Sequence, residues 1–497
     1  MTQAGRVFTL VIALAGHVRG DDAVTTPVTT PVTTPETENP ETSLQSARTL
    51  LTVSTPQAAV ALPPKAKALP RYDLAAYEAA IILACGTGWY WLDKKTNRPD
   101  WDNPSFASRF DGDAWRLDNN SFGINFVGHP LTGALSYSVA RAHRLEPWSA
   151  FAFAFGTSLG WELGIEFKEK VSTNDVIVTG PSGVPVGEVV YKAGVEVLDA
   201  LYPEDRVPEA AVNRWRRAEV SLEAGALLSS PAGAGDAESL RSRVEMVWLP
   251  GYRTSGDAAR WFGQVEVASI AVDVPRTSQG AGFDAEASVV LAGYQAQHYD
   301  GEGLGRRGWS VMAGTPFGYR YRASSDQGFR ELLATLRMPG LLAAVAFDEP
   351  GFRAEMQLEA HVDFAGISAP AYAQWAATHV DVVGKSILRR EGYFYGIGPS
   401  ATARVVVGSG PFEVTGEASA LALQSIEGMD RVQEALQVDE RARASVFEAA
   451  VRASWALPWT GLRPFVRGAW SRWSSVVEGN ASLLASERAT AGVQLSF

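Results

Sequence analysis

The segment from Phe352 to Phe364 alternates without a fault. Phe352, Ala354, Met356, Leu358, Ala360, Val362 and Phe364 fall on one face, with Arg353, Glu355, Gln357, Glu359, His361 and Asp363 on the other. Successive side chains of a β-strand point to opposite faces, so this period predicts a strand. A globular strand usually runs about five or six residues, whereas a tilted strand needs roughly nine to eleven to cross a bilayer. This run is long enough to cross. The same one-sided pattern recurs at Ala218 to Ala226, Phe283 to Leu291, Phe412 to Ala422 and Phe447 to Leu457. One face is expected to meet an apolar medium and the other a polar interior.

Turn clusters such as Ser229-Ser230-Pro231-Ala232-Gly233 and Glu478-Gly479-Asn480 divide the chain beyond about residue 215 into about twelve strands, within a range of 10–14. Asp326 to Pro339 and Pro370 to Arg390 alternate poorly and read as loops. Aromatic residues near the expected strand ends, among them Trp248, Trp261, Trp309, Tyr319, Tyr321, Tyr393, Tyr395, Trp455, Trp470 and Trp473, suit interfacial girdles. In the last strand Ala489, Ala491, Val493, Leu495 and Phe497 share one face, and the chain stops on the aromatic. This ending resembles the carboxy-terminal signature of bacterial outer-membrane β-barrels. Arg353, Glu355, Glu359, His361, Asp363, Glu413 and Glu417 would then line the lumen, and their mixed signs point to a self-paired interior.

Upstream the period changes to that of a helix. Asp73 to Leu92 places Leu74, Tyr77, Ile81 and Ile82 at helical spacing, with Asp73 positioned as its cap. Pro130 opens a second helix to about Arg144, Trp148 to Glu169 reads as a third, and Pro185 opens a fourth. In the fourth, Val186, Val190, Ala193, Val197 and Leu201 form an apolar stripe while Glu188 and Lys192 pair on the other side. The fold class expected is mainly β with an α region: an antiparallel transmembrane β-barrel of about 12 strands preceded by a small helical domain of about four helices. The domains are a signal peptide at 1–20, a Thr/Pro-rich disordered linker at 21–68, the helical domain at 69–208 and the outer-membrane β-barrel at 209–497.

Composition narrows the picture. At 497 residues the chain fits two domains, and it has no uninterrupted apolar run long enough for a transmembrane helix. A net charge of −11 with no clustering of Lys and Arg argues against nucleic acid as a partner. The single cysteine, Cys85, excludes an intrachain disulfide and a multi-cysteine metal site. Arg6, the apolar run Val7 to Ala13 and Ala13-Leu14-Ala15 look like a secretory signal with its cleavage site. The address expected is the outer membrane of a Gram-negative bacterium. The lumen of a twelve-strand barrel is too narrow for four helices, so the helical domain is expected on the periplasmic side.

The dense chemistry lies in the helical region. Asn125-x3-His129-Pro130-x2-Gly133-x3-Tyr137-x3-Arg141 is followed by Trp161-Glu162-x3-Glu166-x2-Glu169, Ser172-x-Asn174-Asp175 and Gly187-Glu188. These residues resemble a family of bacterial envelope proteins known as the domain-of-unknown-function 3943 group, over about residues 115–200. The resemblance implies an envelope location and transfers no catalytic role. Taken alone, Glu162 and Glu166 are four apart and share a helix face; with His129 and Asp175 they are the candidates for an acid/base pair or an oxygen-rich metal site. A nearby Ser158 or Ser172 would suit hydrolysis of a lipid ester. No GxSxG, HExxH or phosphate-loop motif anchors that chemistry, and no metal or cofactor is called for. The bland reading makes His129 a helix cap before Pro130, sets Arg141 against Glu162 or Glu166, and places Asn125, Tyr137, Ser172, Asn174 and Glu188 in a structural network. Two functions therefore stand: a non-enzymatic channel or envelope scaffold, with outer-membrane lipid around it and small solutes as potential lumen partners, and an envelope hydrolase acting on lipid.

Overall fold

The computed structural model describes residues 69–92, 102–117, 120–201, 215–229, 237–249, 256–277, 280–301, 307–326, 329–368, 393–426, 442–458, 461–477 and 480–496. The signal peptide, the Thr/Pro linker, the expected loop Pro370 to Arg390 and Phe497 lie outside them.

The first part is helical. It comprises α1 (Tyr72–Leu92), α2 (Ser108–Asp111), β1 (Trp115–Arg116), a π turn (Ile124–Gly128) running into α3 (His129–Ala142), α4 (Pro147–Gly160) continued by a second π turn (Trp161–Ile165), β2 (Val171–Ser172) and α5 (Thr173–Leu201). The two short strands pair in parallel. Asp73 does not cap α1: the helix has already begun at Tyr72, and the carboxylate pairs with Arg71 at 2.7 Å instead. Pro185 does not open a helix either. Both Pro181 and Pro185 sit inside the continuous α5, where each removes a backbone donor. Burial of this helix outweighs that local cost, since most of its residues from Asn174 to Val189 are out of solvent. Of the apolar stripe expected on α5, Val186 and Ala193 pack against the core, whereas Val197 and Leu201 at its end are exposed; Glu188, on the other side, is fully buried.

The barrel is built from β3 (Trp215–Ser229), β4 (Ala237–Leu249), β5 (Gly256–Phe262), β6 (Val267–Thr277), β7 (Gly280–Asp300), β8 (Arg307–Asp326), β9 (Phe329–Arg337), β10 (Leu341–Glu349), β11 (Phe352–Ser368), β12 (Phe394–Ser409), β13 (Phe412–Ser425), β14 (Ala442–Trp455), β15 (Leu462–Val477) and β16 (Asn480–Ser496). β5 and β6 are two parts of one interrupted stave along β7, and β9 and β10 are two parts of another between β8 and β11. The result is a closed antiparallel barrel of 12 strands, sealed by β16 against β3. One segment expected as a loop, Asp326 to Pro339, holds β9; its Leu332-Leu333 pair hid the alternation because both faces are apolar there.

Arg320 and Arg322 of β8 reach Glu448 of β14 across the barrel, with four staves between them on the short way round. That contact identifies the inner face of every strand. The charges expected in the lumen are there and paired: Arg353 with Glu355 at 2.6 Å, His361 with Glu359 at 3.4 Å, Glu413 with Arg463 at 3.3 Å, Glu417 with Arg404 at 3.4 Å, and Asp363 accepting from Ser400 at 2.8 Å. Towards the rim bearing the β11–β12 connection the lumen turns apolar, with Leu333, Ile367, Phe394, Leu423 and Trp473 packed together. Trp473 is therefore a lumenal residue and no girdle aromatic. Trp261, Trp309, Trp455 and Trp470 do face outward and are exposed.

The helices are seated on the outer wall, not at a rim. Tyr319, next to lumenal Arg320, points outward and donates to the Phe126 carbonyl. Asn125 Nδ2 donates to the hydroxyls of Tyr393 at 2.9 Å and Tyr395 at 2.5 Å, and Tyr393 in turn donates to Asn120 O at 2.6 Å. Trp148 Nε1 donates to Gly263 O at 2.8 Å, in the gap of the interrupted stave β5/β6. Trp248, Val289, Phe317, Leu336 and Phe364 are outward residues buried in the same apolar cluster as the helices. The narrow-lumen argument for keeping helices out of the barrel holds. An outward apolar face, however, reads the same in sequence whether lipid or a helix covers it, and so Tyr319, Tyr393 and Tyr395 were legible only as girdle residues.

The Phe126 ring packs closely on Gly366, where an added Cβ would stand 2.0 Å from a ring carbon. Gly366→Leu is expected to cost on the order of 1–3 kcal/mol of docking through overpacking. Limited trypsin digestion in detergent should then release the helical region while the barrel keeps its heat-dependent gel migration.

Candidate functional site

The motif residues meet along one seam. On α3, positions 129, 133, 137 and 141 recur every four residues and so lie in a row on one face. That row packs along α5. At its centre the backbones touch: a Cβ on Gly133 would lie 1.7 Å from the Thr179 carbonyl, and one on Gly183 would lie 2.7 Å from the Gly133 backbone. Glycine is required at both positions, as is usual where two helices approach this closely.

One end of the seam carries the candidate catalytic residues. His129 is the first residue of α3 and follows the π turn in helical conformation, so it is not a cap. Its Nε2 lies 3.2 Å from Asp175 Oδ2 and its Nδ1 lies 3.0 Å from Thr179 Oγ1, so one ring bridges two side chains a turn apart on α5. Asn174 Nδ2 donates to Asp175 Oδ1 at 2.7 Å, and Ser172 Oγ donates to Asn174 Oδ1 at 3.0 Å while accepting the Asp175 backbone N–H at 3.2 Å. Ser172 is thereby the N-cap of α5. Its own N–H donates to Glu162 Oε2 at 3.0 Å, which links Glu162 into the chain. The expected neighbour Glu166 is not brought in. The π turn ends between the two glutamates, leaving Glu162 buried and Glu166 half-buried outside the helix. The shared face predicted from four-residue spacing is lost because Glu166 already has a non-helical backbone, at φ −87° and ψ 37°.

Sequence reasoning missed the residue that holds this end together. Arg109, fully buried, donates to the carbonyls of Glu162 at 2.8 Å, Glu166 at 2.9 Å and Glu169. Arg109 thereby ties the end of the π turn to the chain that follows it. Arg116, paired with Asp102 and 3.8 Å from Glu169, and Tyr90, donating to Glu169 Oε1 at 2.7 Å, complete the shell. Arg109 stands on the four-residue α2, which is too short for a period to mark it.

The other end is a buried ion cluster. Glu188 Oε2 accepts from Arg141 Nε at 2.8 Å and from Tyr137 OH at 2.9 Å, and Lys192 Nζ lies 3.6 Å from Oε1. Arg141 thus neutralises Glu188, not Glu162 or Glu166, and the Glu188–Lys192 pair expected from spacing is present. Burial pushes the Glu188 carboxyl upward, but Arg141 and then Lys192 outweigh it and hold it below its ordinary 4.5. Burial, followed by the Glu188 charge, raises the Tyr137 hydroxyl well above 10.0, so it stays a donor.

Chemically, the His129 end could move a proton among Thr179, the imidazole and Asp175. Among the described residues no cluster of His, Cys, Asp and Glu is arranged to hold a metal ion. Thr179, the hydroxyl that meets His129, is 5% exposed. Asn125, Gly133, Tyr137, Arg141, Glu162, Ser172, Asn174 and Glu188 are engaged in bridging, close packing or capping.

The family model described as Domain of unknown function (DUF3943) matches residues 114–213. No curated protein sequence matches the chain. Among solved structures, the translocator domain of autotransporter NalP from Neisseria meningitidis aligns at 8% identity over 61% of this chain and 97% of its own, with a TM-score of 0.23. A loop L8 deletion mutant of OmpT, an outer membrane protein of Vibrio cholerae, aligns at 6% over 57% and 98%, TM-score 0.23. The Acinetobacter baumannii outer membrane protein Omp33 aligns at 6% over 57% and 99%, TM-score 0.18. Scores this low carry no argument, and the barrel rests on its own strand pairing.

Because the Glu188 carboxyl is depressed in the fold, its contribution is fully present above its ordinary 4.5 and is lost as pH falls through the folded value. The helical region is therefore expected to lose stability on acidification through that folded value. Glu188→Gln leaves Arg141 uncompensated and is expected to destabilise the region by about 3–5 kcal/mol at pH 7 while removing that acid dependence. Tryptophan fluorescence against pH in detergent, recorded for both proteins, checks it.

Proposed function

We propose that this protein is an outer-membrane β-barrel with a closed lumen, acting as an envelope scaffold and not as a diffusion channel. The observation that carries this is the transverse contact of Arg320 and Arg322 with Glu448, from opposite sides of the lumen, with Arg320 Nη2 3.0 Å from the carboxylate. Above it an apolar cluster around Phe394 and Trp473 lines the bore, and Arg322 lies 5.9 Å over the Trp473 ring. A cavity of about 660 Å³ lies among these pairs, and its charged lining is close to balanced in sign. A transport pathway for solutes would need those pairs to part.

The outward surface supports a bilayer around the wall. Leu358, Val362, Val405, Val451, Val466 and Val493 are all outward and exposed. Barrels of this kind have short periplasmic turns and longer extracellular loops. At one rim no connection exceeds six residues and 350–351 and 410–411 are two-residue turns, whereas the other rim holds the two longest connections, 369–393 and 426–441, beside short ones at 278–279, 327–328 and 478–479. We assign the first rim to the periplasm. In that orientation the helix footprint on β8, β9, β11 and β12 lies in the halves farther from the periplasm. The helical domain therefore flanks the wall in this reading, instead of hanging beneath it as expected from sequence.

The lipid-hydrolase reading rests on the Thr179–His129–Asp175 bridge. Against it stands the burial of the Thr179 hydroxyl inside the seam, where a substrate ester has no approach. His129→Ala is expected to leave the cellular phospholipid and lipopolysaccharide acyl profile unchanged; an altered profile with normal barrel assembly would favour the enzyme.

In planar bilayers the native protein is expected to show no steady conductance. Glu448→Ala removes the shared partner of Arg320 and Arg322 and should produce step-like openings. Equal, large conductance in both proteins would make the channel reading the right one.

A further inference from the structure

The helical domain is inverted in polarity. Its ionic groups point inward: Glu188 is 0% exposed, Arg109 1%, and Glu162 and Asp175 2% each. Its outward surface is apolar, with Tyr77 66% and Phe110 65% exposed. The exposed face of α1 reads Ala76, Tyr77, Ala80, Ile81, Ala84 and Cys85 and carries no charge over three turns. Its one mid-helix carboxylate, Glu78, turns inward to His143 at 3.3 Å. α4 contains no charged residue at all, and its exposed positions are Trp148, Ala152, Gly156 and Gly160. A helix washed by water on one side normally carries charge there. Ionisable groups that face the bundle interior and pair with one another are instead the pattern of protein surrounded by hydrocarbon.

The exposed charges collect at the two ends. Arg71, Asp73, Arg144 and Glu146 lie together, because the Arg71 N–H donates to His143 O at 3.0 Å and so sets the start of α1 beside the end of α3. Asp111 and Asp113 lie towards the opposite end, where Tyr90 near the end of α1 meets Glu169. The 21 residues of α1 span ~30 Å between those ends, about the thickness of a bilayer's hydrocarbon core. No helix among the described residues is long and apolar enough to cross a membrane by itself. Here the wall covers the inner side and the inward charges are paired, so only the outer face has to suit its surroundings.

That face also continues the barrel's own. On β11 the exposed Leu358 and Val362 run directly into Phe364 and Gly366 beneath the Phe126 ring. On β12 the exposed Val405 and Ile397 run into Tyr395, which holds Asn125. Resting on the outer-membrane barrel reading above, we infer that the helical domain shares the barrel's bilayer, with the outer faces of α1 and α4 against lipid acyl chains. The partner of this surface is membrane lipid, and the domain widens the barrel's lipid-facing perimeter on one side.

The single cysteine gives a direct test, since Cys85 is exposed on the uncharged face of α1. The full-length protein, spin-labelled at Cys85 and reconstituted into phosphatidylethanolamine/phosphatidylglycerol vesicles, is compared with Leu358→Cys and Pro350→Cys, each made in Cys85→Ala. Power saturation against oxygen and a water-soluble nickel chelate reads the surroundings of each label. The expected result is high oxygen and low nickel accessibility at Cys85, matching the outward wall position 358 and opposite to the turn position 350. A Cys85 label as open to nickel as position 350, with position 358 still in lipid, overturns the inference and leaves the barrel reading standing. Nickel access at position 358 as well overturns both. Protection of Cys85 from both reagents means that protein covers this face, and it overturns the lipid assignment.

Discussion

Charge held out of water has to meet opposite charge, and both halves of this molecule are arranged around that requirement. In the lumen, Glu448 receives Arg320 and Arg322 from the far wall, and Asp273 receives Arg241 and Arg243 from the neighbouring stave at 2.8 and 3.0 Å. In the helical domain, Glu188 receives Arg141, Lys192 and the Tyr137 hydroxyl. A buried pair broken on one side is far more costly than the same pair left intact is favourable. These clusters therefore fix geometry more than they add stability: Arg320 and Glu448 set how far apart two walls can stand, and Arg141 and Glu188 set the register of two helices.

The seam between α3 and α5 has the same logic with a second ingredient. Close backbone approach at Gly133 and Gly183 places polar side chains at either end within bonding distance, and the polar ends in turn hold the glycines in register. Asn125 then carries this order to the barrel, because its amide reaches both Tyr393 and Tyr395. A conspicuous sequence motif is thus accounted for by packing, capping and docking, with His129 the one member whose partners also resemble a proton relay.

Much of the barrel is written in period two. The thirteen-residue run in β11 and its copies in β3, β7, β13 and β14 identified strands, faces and lumenal charges, because alternation is local and a closed sheet applies it everywhere. The interruptions were not legible: the gaps in β5/β6 and β9/β10 depend on what neighbouring staves do, and Leu332-Leu333 is apolar on both faces for two different reasons. In the helical domain, spacing revealed the row from His129 to Arg141 and the Glu188–Lys192 pair. It could not assign Arg141 to Glu188 or find Arg109, since partners 47 and 53 residues away leave no periodic trace. It also misjudged Glu166, because the helical segment stops at Ile165, one residue before it. The covering of outward aromatics by helices is a tertiary fact that no strand pattern contains.

The closing pair of the barrel, β16 with β3, stands apart from the staves that hold the helices. Phe126, Asn125 and Trp148 bind β8, β11, β12 and the gap before β6, and none of their contacts named above falls on β3 or β16. The first and last strands can therefore find each other after the helices have docked, with the contacts of Phe126, Asn125 and Trp148 left in place. Assembly is divided accordingly: one flank of the cylinder is completed by helix against strand, the other by strand against strand, and an unzipped β3–β16 seam would leave a curved sheet already carrying its helical cover.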